Sequence, residues 1–140
     1  LSGSIFMDYR NASDFSDSNI IIYGHHMAKN MMFGELDEYM DLLFFESHCK
    51  GELYDGFMWH DIMFFAFLRA DAYDPFVYDV TTEIIGGTDA YVEWLQKKAI
   101  HWKEGMVIQN GQFITLSTCA PGRTTNERYV LIGWMSGPEI

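Results

Sequence analysis

Near the end of the chain a cysteine, Cys119, is followed within nine residues by two arginines, Arg123 and Arg128. The segment 112–128, QFITLSTCAPGRTTNER, opens as an alternating run in which Phe113, Thr115, Leu116 and Thr118 suit a strand. Pro121 and Gly122 end that run, so Cys119 falls at a strand terminus. Such a position holds a sulfur rigidly from behind and leaves its front open, which serves a nucleophile better than a packing residue. A second apolar stretch, 129–134, follows the basic loop. Paired as a hairpin, the two stretches bring Arg128 back toward Cys119, where a fixed cation lowers a thiol pKa or holds an oxyanion.

A thiol nucleophile also needs a base, and the chain has five histidines, at 25, 26, 48, 60 and 101. His25 and His26 are favoured, because they follow the apolar run NIIIY and Gly24 and so stand at a sheet rim. His60 lies inside a strand pattern and His101 at a helix end, where packed or solvated imidazoles are the ordinary case. His48-Cys49 is half a metal site with no second pair at a ligand spacing; a cation near a helix C-terminus is the preferred account. Cys49 and Cys119 are the only cysteines, so disulfides do not hold this fold together. A bridge between the two stays open, although Cys119 reads better as a free thiol. The methionines at 27, 31, 32 and 40 form either a soft binding surface or core filling, the latter preferred. On residues alone, a strand-end cysteine is as readily structural as catalytic.

The elements that position these groups follow from periodicity. A short strand is expected at 5–9, a polar loop at 10–18, and a strand buried on both faces at 19–23. Phe33, Leu36, Met40, Leu43 and Phe44 recur at helical spacing, predicting one amphipathic helix over 32–46 with its acidic residues in water. Asp55-Gly56 predicts a hairpin between 52–54 and 57–70, the second strand being central because it alternates poorly. A turn at 71–75 leads to a short strand or extended loop at 76–80. Thr88 is the expected N-cap of a second helix that carries Tyr91, Trp94, Leu95 and Trp102 on one face and ends near 103–105. An approach segment at 106–110 and a tight turn at Asn110-Gly111 lead into the cysteine strand. Many short strands with two inserted helices give a mainly β domain, expected to be a barrel.

At 140 residues the chain is one domain, 1–140, with half its residues apolar. A formal net charge of −11 repels nucleic acid and anionic membrane surfaces, so no nucleic-acid partner is expected. The longest apolar run, 62–68, is far short of a membrane span.

Taken together, TLSTC at 115–119, NERYVLIG at 126–133, IIIYGHHM at 20–27 and MFGEL at 32–36 resemble a sortase. The helix expected from Thr88 and the opening GSIFMDYRN at 3–11 look like the class B branch. The resemblance covers nearly the whole chain with its motifs in order. It implies that Cys119 is the nucleophile, His25 the acid/base and Arg128 the oxyanion-stabilising or substrate-orienting cation. His26 takes a position that is often asparagine in the family. Ser117 and, beside it, Thr118 match substrate-groove positions. The implied fold is a closed or nearly closed β-barrel. The implied activity is a cysteine transpeptidase of Gram-positive bacteria that uses no metal or organic cofactor. Its partners would be surface proteins bearing a C-terminal sorting signal that resembles Asn-Pro-X-Thr, and an amine of a peptidoglycan precursor or a pilin lysine. Its place would be the outer face of the membrane, held by an N-terminal anchor that this chain does not include. A class B chain would also have a helical pair and one or two barrel strands before GSIFMDYRN, so a fragment or shortened form is expected, with sheet edges that need cover. A thiol hydrolase using the same site and an inactive binding module are the alternatives.

Overall fold

Segments rich in β-branched and aromatic side chains become strands here, because those side chains pack well on a pleated surface. The computed structural model describes residues 5–12, 16–25, 32–106, 108, 111–119 and 126–136. Among them are seven strands: β1 (Ile5–Met7), β2 (Asn19–His25), β3 (Lys50–Tyr54), β4 (Trp59–Asp71), β5 (His101–Trp102), β6 (Gly111–Cys119) and β7 (Glu127–Ser136). They form one sheet in the order β1-β2-β6-β7-β4-β3, with β5 paired to β4. β2 and β6 run parallel, and the other described pairs are antiparallel. The expected mainly β fold is present, with the sheet curled into a half-barrel whose described edges are β1 and β3.

Alternation along the strands sends apolar side chains to both faces. Ile20, Ile22, Ile114, Leu116, Leu131 and Met135 join one cluster with Leu36, Tyr39 and Phe45. Ile21, Phe113, Val130, Ile132 and Trp134 join a second cluster with Val77, Tyr78, Tyr91 and Leu95. β4 feeds both clusters, and its register against β7 shifts between Phe64 and Ala66. This bulge changes parity, so that Ile62 and Phe64 before it and Phe67 after it stay on the same face. That accounts for the poor alternation of this segment. Gly133 of β7 packs so tightly on that face that an added Cβ would sit 2.6 Å from Ile62 and 2.9 Å from Phe64.

The single helix expected over 32–46 is instead a 3-10 helix, Met32–Met40, followed by α1, Leu42–Ser47. Asp41 between them is extended, with ψ near 123°. Leu36 and Tyr39, three apart, suit the three-residue turn and are both buried. The break rotates the next turn, so Phe45 is buried while Leu43, expected inside, is 73% exposed.

The second helix, α2, is Thr88–Lys98, with Gly87 at its N-cap instead of Thr88. It buries Tyr91 and Leu95 against the sheet. Trp102 and His101, expected on this helix, belong to β5, where they pair with Ala66 and Phe67. The β3–β4 hairpin forms as expected, with a loop spanning 55–58. Asp55 Oδ1 accepts from the N–H groups of Phe57 and Met58, and Gly56 takes φ +100°, a value that suits glycine. Of the turn expected at Asn110-Gly111, Gly111 opens β6, while Asn110 and the turn expected at Pro121-Gly122 lie outside the described residues.

Candidate active site

β2 and β6 come from distant parts of the chain, and their parallel register pairs Asn19 with Phe113, continuing residue by residue to His25 with Cys119. Gly24 and His25, expected to leave the strand, remain in it. Neighbouring strands lie about 4.8 Å apart, so the two positions are adjacent at backbone level. On the other side of β6, the antiparallel register with β7 reaches Ser117 opposite Val130. Beyond that pair the Tyr129 N–H turns to the Thr118 hydroxyl, and Arg128 of β7 pairs on its far side with Ala70 of β4. The structure therefore gathers the three expected positions on three consecutive strands at one rim. His25 and Cys119 are described as backbone positions; His26 and Arg123 lie outside the described residues.

By strand parity, positions 25, 119 and 128 belong to the face that carries α2. This face holds an unusual amount of buried polar chemistry. Ser117 is fully buried and shares a 2.8 Å hydrogen bond with the Tyr78 hydroxyl. Thr118, on the opposite face by parity, is also buried, and its Oγ1 accepts from the Tyr129 N–H at 3.1 Å. As described, both lie behind the rim, each with its hydroxyl in an internal hydrogen bond. Burial raises the Tyr78 phenol pKa, opposed by the Ser117 hydrogen bond and the positive charge of Arg128, so the guanidinium acts on this spot. Arg128 is itself half-buried, and its Nη1 donates to the Glu127 carbonyl at 2.9 Å.

Two further tyrosines support the rim, and reasoning from sequence passed over both. Tyr23, two residues before His25 and so of the same parity, stacks on Tyr78 with centroids 6.0 Å apart. Its hydroxyl donates to Asp8 Oδ2 at 2.8 Å, and Asp8 also holds Arg10 at 2.9 Å. Burial acts to raise the Asp8 carboxyl, but the hydrogen bonds from Arg10 and Tyr23 outweigh it and keep the pKa below the usual range. The period of two could have flagged Tyr23; Tyr78 sits in an irregular loop with no pattern to mark it. Deeper on the same face, Asn19 Nδ2 donates to the Asp79 carbonyl at 3.0 Å. Its Oδ1 accepts from Thr115 at 2.8 Å, which ties the Tyr78 loop to β2 and β6.

The remaining histidines are accounted for structurally. His48 is the C-cap residue of α1, stacked on Phe44 at 3.8 Å. His60 bonds Asp55 at 2.7 Å, and His101 Nε2 bonds the Met40 carbonyl at 2.7 Å. Cys49 is a partly exposed free thiol, and Met40 packs on the first core cluster. Among the described residues no group of three or more acidic, histidine or cysteine side chains is placed to hold a metal, and no helix is long and apolar enough to cross a membrane.

The chain matches no family model. It is 34% identical over 120 residues to sortase B of Listeria monocytogenes, covering 84% of this chain and 48% of that one. Against the sortase B from the type II pilus of Streptococcus pneumoniae the TM-score is 0.81 at 33% identity, covering 99% of this chain and 79% of that chain. Against a Staphylococcus aureus sortase B–substrate complex it is 0.83 at 26% identity, covering 99% and 64%. The chain spans about half the length of the curated relatives it matches. Backbone agreement over nearly every residue, together with a third of the sequence shared with a relative most of whose length is covered, places this chain in the class B sortase family.

Proposed function

We propose that this chain is the catalytic part of a cysteine transpeptidase acting on a C-terminal sorting signal. The observation that carries this reading is the direct register of His25 with Cys119, with Arg128 one strand further on. The Cys119 thiolate attacks the carbonyl carbon of Thr in a signal resembling Asn-Pro-X-Thr. A C–S bond forms, the following C–N bond breaks, and protonated His25 gives its proton to the leaving amine. An amine of a cell-wall peptide or a pilin lysine then attacks the thioester and passes its proton to His25, and the thiolate is released. Arg128 holds the negative charge on the carbonyl oxygen; removing one such donor typically costs roughly 10²–10³ in rate. Ser117 and Thr118, proposed from sequence as substrate-binding, act in this scheme from behind, by fixing the end of β6. In this reading the protein works at the cell envelope of a Gram-positive bacterium.

Incubation with a sorting peptide followed by intact-mass measurement tests the proposal. The expected result is an acyl adduct on Cys119, lost in Cys119→Ala and resolved to a new amide only when an amine is added. Free acid formed equally with and without amine would make the protein a thiol hydrolase. No adduct at all would make it a binding module. His25→Ala should abolish the adduct and His26→Ala should leave most of it; the reverse order would move the acid/base role to His26.

A further inference from the structure

A buried carboxylate stands well behind the rim. Asp8 follows β1 directly, and its backbone is held on both sides: its N–H donates to the Ile21 carbonyl at 2.8 Å, and its carbonyl accepts from the Asn11 N–H at 3.0 Å. Ile21 lies four residues before His25 in β2, about 13 Å at roughly 3.3 Å per residue, so Asp8 does not itself reach the thiol chemistry.

The carboxylate serves two partners. Oδ1 accepts from the Arg10 backbone N–H and from Arg10 Nε, both at 2.9 Å. Oδ2 accepts from Arg10 Nη2 at 3.0 Å and from the Tyr23 hydroxyl at 2.8 Å. Taking a carboxylate out of water is costly, and well-packed apolar residues of similar volume often serve stability as well or better, so stability alone is a poor reason for it. What it fixes is the Tyr23 ring. A carboxylate can only accept, so the phenol proton is committed to Oδ2, and the ring is held at one end by β2 and at the other by Asp8.

From that ring the constraint runs toward the rim. Tyr78 stacks on Tyr23 with centroids 6.0 Å apart and 19° between the planes, and its hydroxyl shares the 2.8 Å hydrogen bond with Ser117. Tyr78 belongs to no strand or helix, so side-chain contacts such as these carry much of its placement. Tyr23 and Ser117 are themselves partners across the β2–β6 ladder, two residues before His25 and Cys119.

We propose that Asp8 is a positioning residue for acyl transfer, acting through Tyr23 and Tyr78 on the end of the β2–β6 ladder that carries His25 and Cys119. The inference rests on the acyl-transfer reading and deepens it. Arg10, with 40% of its side chain exposed, balances the charge of Asp8.

The test measures kcat and KM with a sorting peptide and an amine for Asp8→Asn, Tyr23→Phe, their double variant and Arg10→Gln. In Asp8→Asn the amide oxygen stays with Arg10 and the NH2 group turns to Tyr23, so the phenol is no longer held as a donor. Asp8→Asn and Tyr23→Phe should each lower kcat about tenfold with KM within about twofold. The double variant should be no worse than the weaker single, since both substitutions cut the same link. Arg10→Gln breaks a half-exposed ion pair but leaves the Tyr23 tether, and should keep kcat within about twofold. Additive losses in the double variant, an equal loss in Arg10→Gln, or parent-like kcat in Tyr23→Phe would overturn the proposal. If Asp8→Asn fails to fold, Tyr23→Phe set against Arg10→Gln decides the matter. Failure of the acyl-transfer reading shows separately, as a parent protein that forms no adduct. Alkylation of Cys119 by iodoacetamide, followed by peptide mass mapping, then replaces turnover: Asp8→Asn and Tyr23→Phe should change its rate alike, Arg10→Gln should not, and a rate that neither tyrosine-side variant moves would overturn the proposal.

Discussion

The two faces of the sheet are built on different terms. The face under the 3-10 helix and α1 is mostly apolar, with Phe64, Phe67, Leu131 and Gly133 interlocked and Thr118 buried at its β6 end. The face under α2 also buries Asn19, Thr115 and Ser117, the threonine and serine hydroxyls each meeting a partner. Apolar packing supplies cohesion without direction, whereas hydrogen bonds specify where a group stands. The rim that holds the proposed site continues the second kind of face, so what holds the molecule together is separate from what would aim that site.

That contrast is open to attack from both sides. Phe67→Ala, on the apolar face, should have the largest effect on stability, about 3–5 kcal/mol in denaturant unfolding, with acyl transfer per folded molecule little changed. Asn19→Ala should cost less, about 1–3 kcal/mol, because it strands the Asp79 carbonyl and the Thr115 hydroxyl. It should also slow acylation by loosening the Tyr78 loop. Tyr78→Phe should change stability by only about 1 kcal/mol, yet lower kcat more than KM in a peptide assay; equal loss in both would reduce Tyr78 to a packing role. The smallest effect concerns pH. Since the folded Asp8 carboxyl lies below its ordinary value, its contribution is whole above the ordinary pKa and is lost as pH falls through the folded one. Tm measured from about pH 5 to pH 3 should therefore fall less steeply in Asp8→Asn than in the parent.

Much of the rim was legible in the chain itself. TLSTC ends an alternating run, NERYVLIG carries a continuous apolar one, the basic loop lies between them, and β6 and β7 pair as a hairpin requires. The helix at 32–46 was drawn as one because Phe33 and Leu36, and Met40 and Leu43, stand three apart, a spacing that α and 3-10 turns share, and the extended Asp41 breaks it in two. The helix from Thr88 was drawn too long because Trp102 keeps helical phase with Trp94 and Leu95 although the chain has already turned into β5. Phe65 looked like a flaw in alternation where the fold places a bulge. Tyr78 was out of reach for a simpler reason: its partners, Tyr23 and Ser117, come from remote segments, and no local period encodes them.

The parallel contact between β2 and β6 has a bearing on how the protein comes into being. Thr115 and Asn19 touch across 96 positions of chain, and every rung of that ladder spans a similar distance. Contacts of such length form slowly, after hairpins such as β3–β4 and β6–β7. As a polypeptide emerges from its N-terminus, positions 25 and 119 come into register only once β6 has been made. A chain that stops short of β6 therefore lacks the proposed pairing of thiol and imidazole.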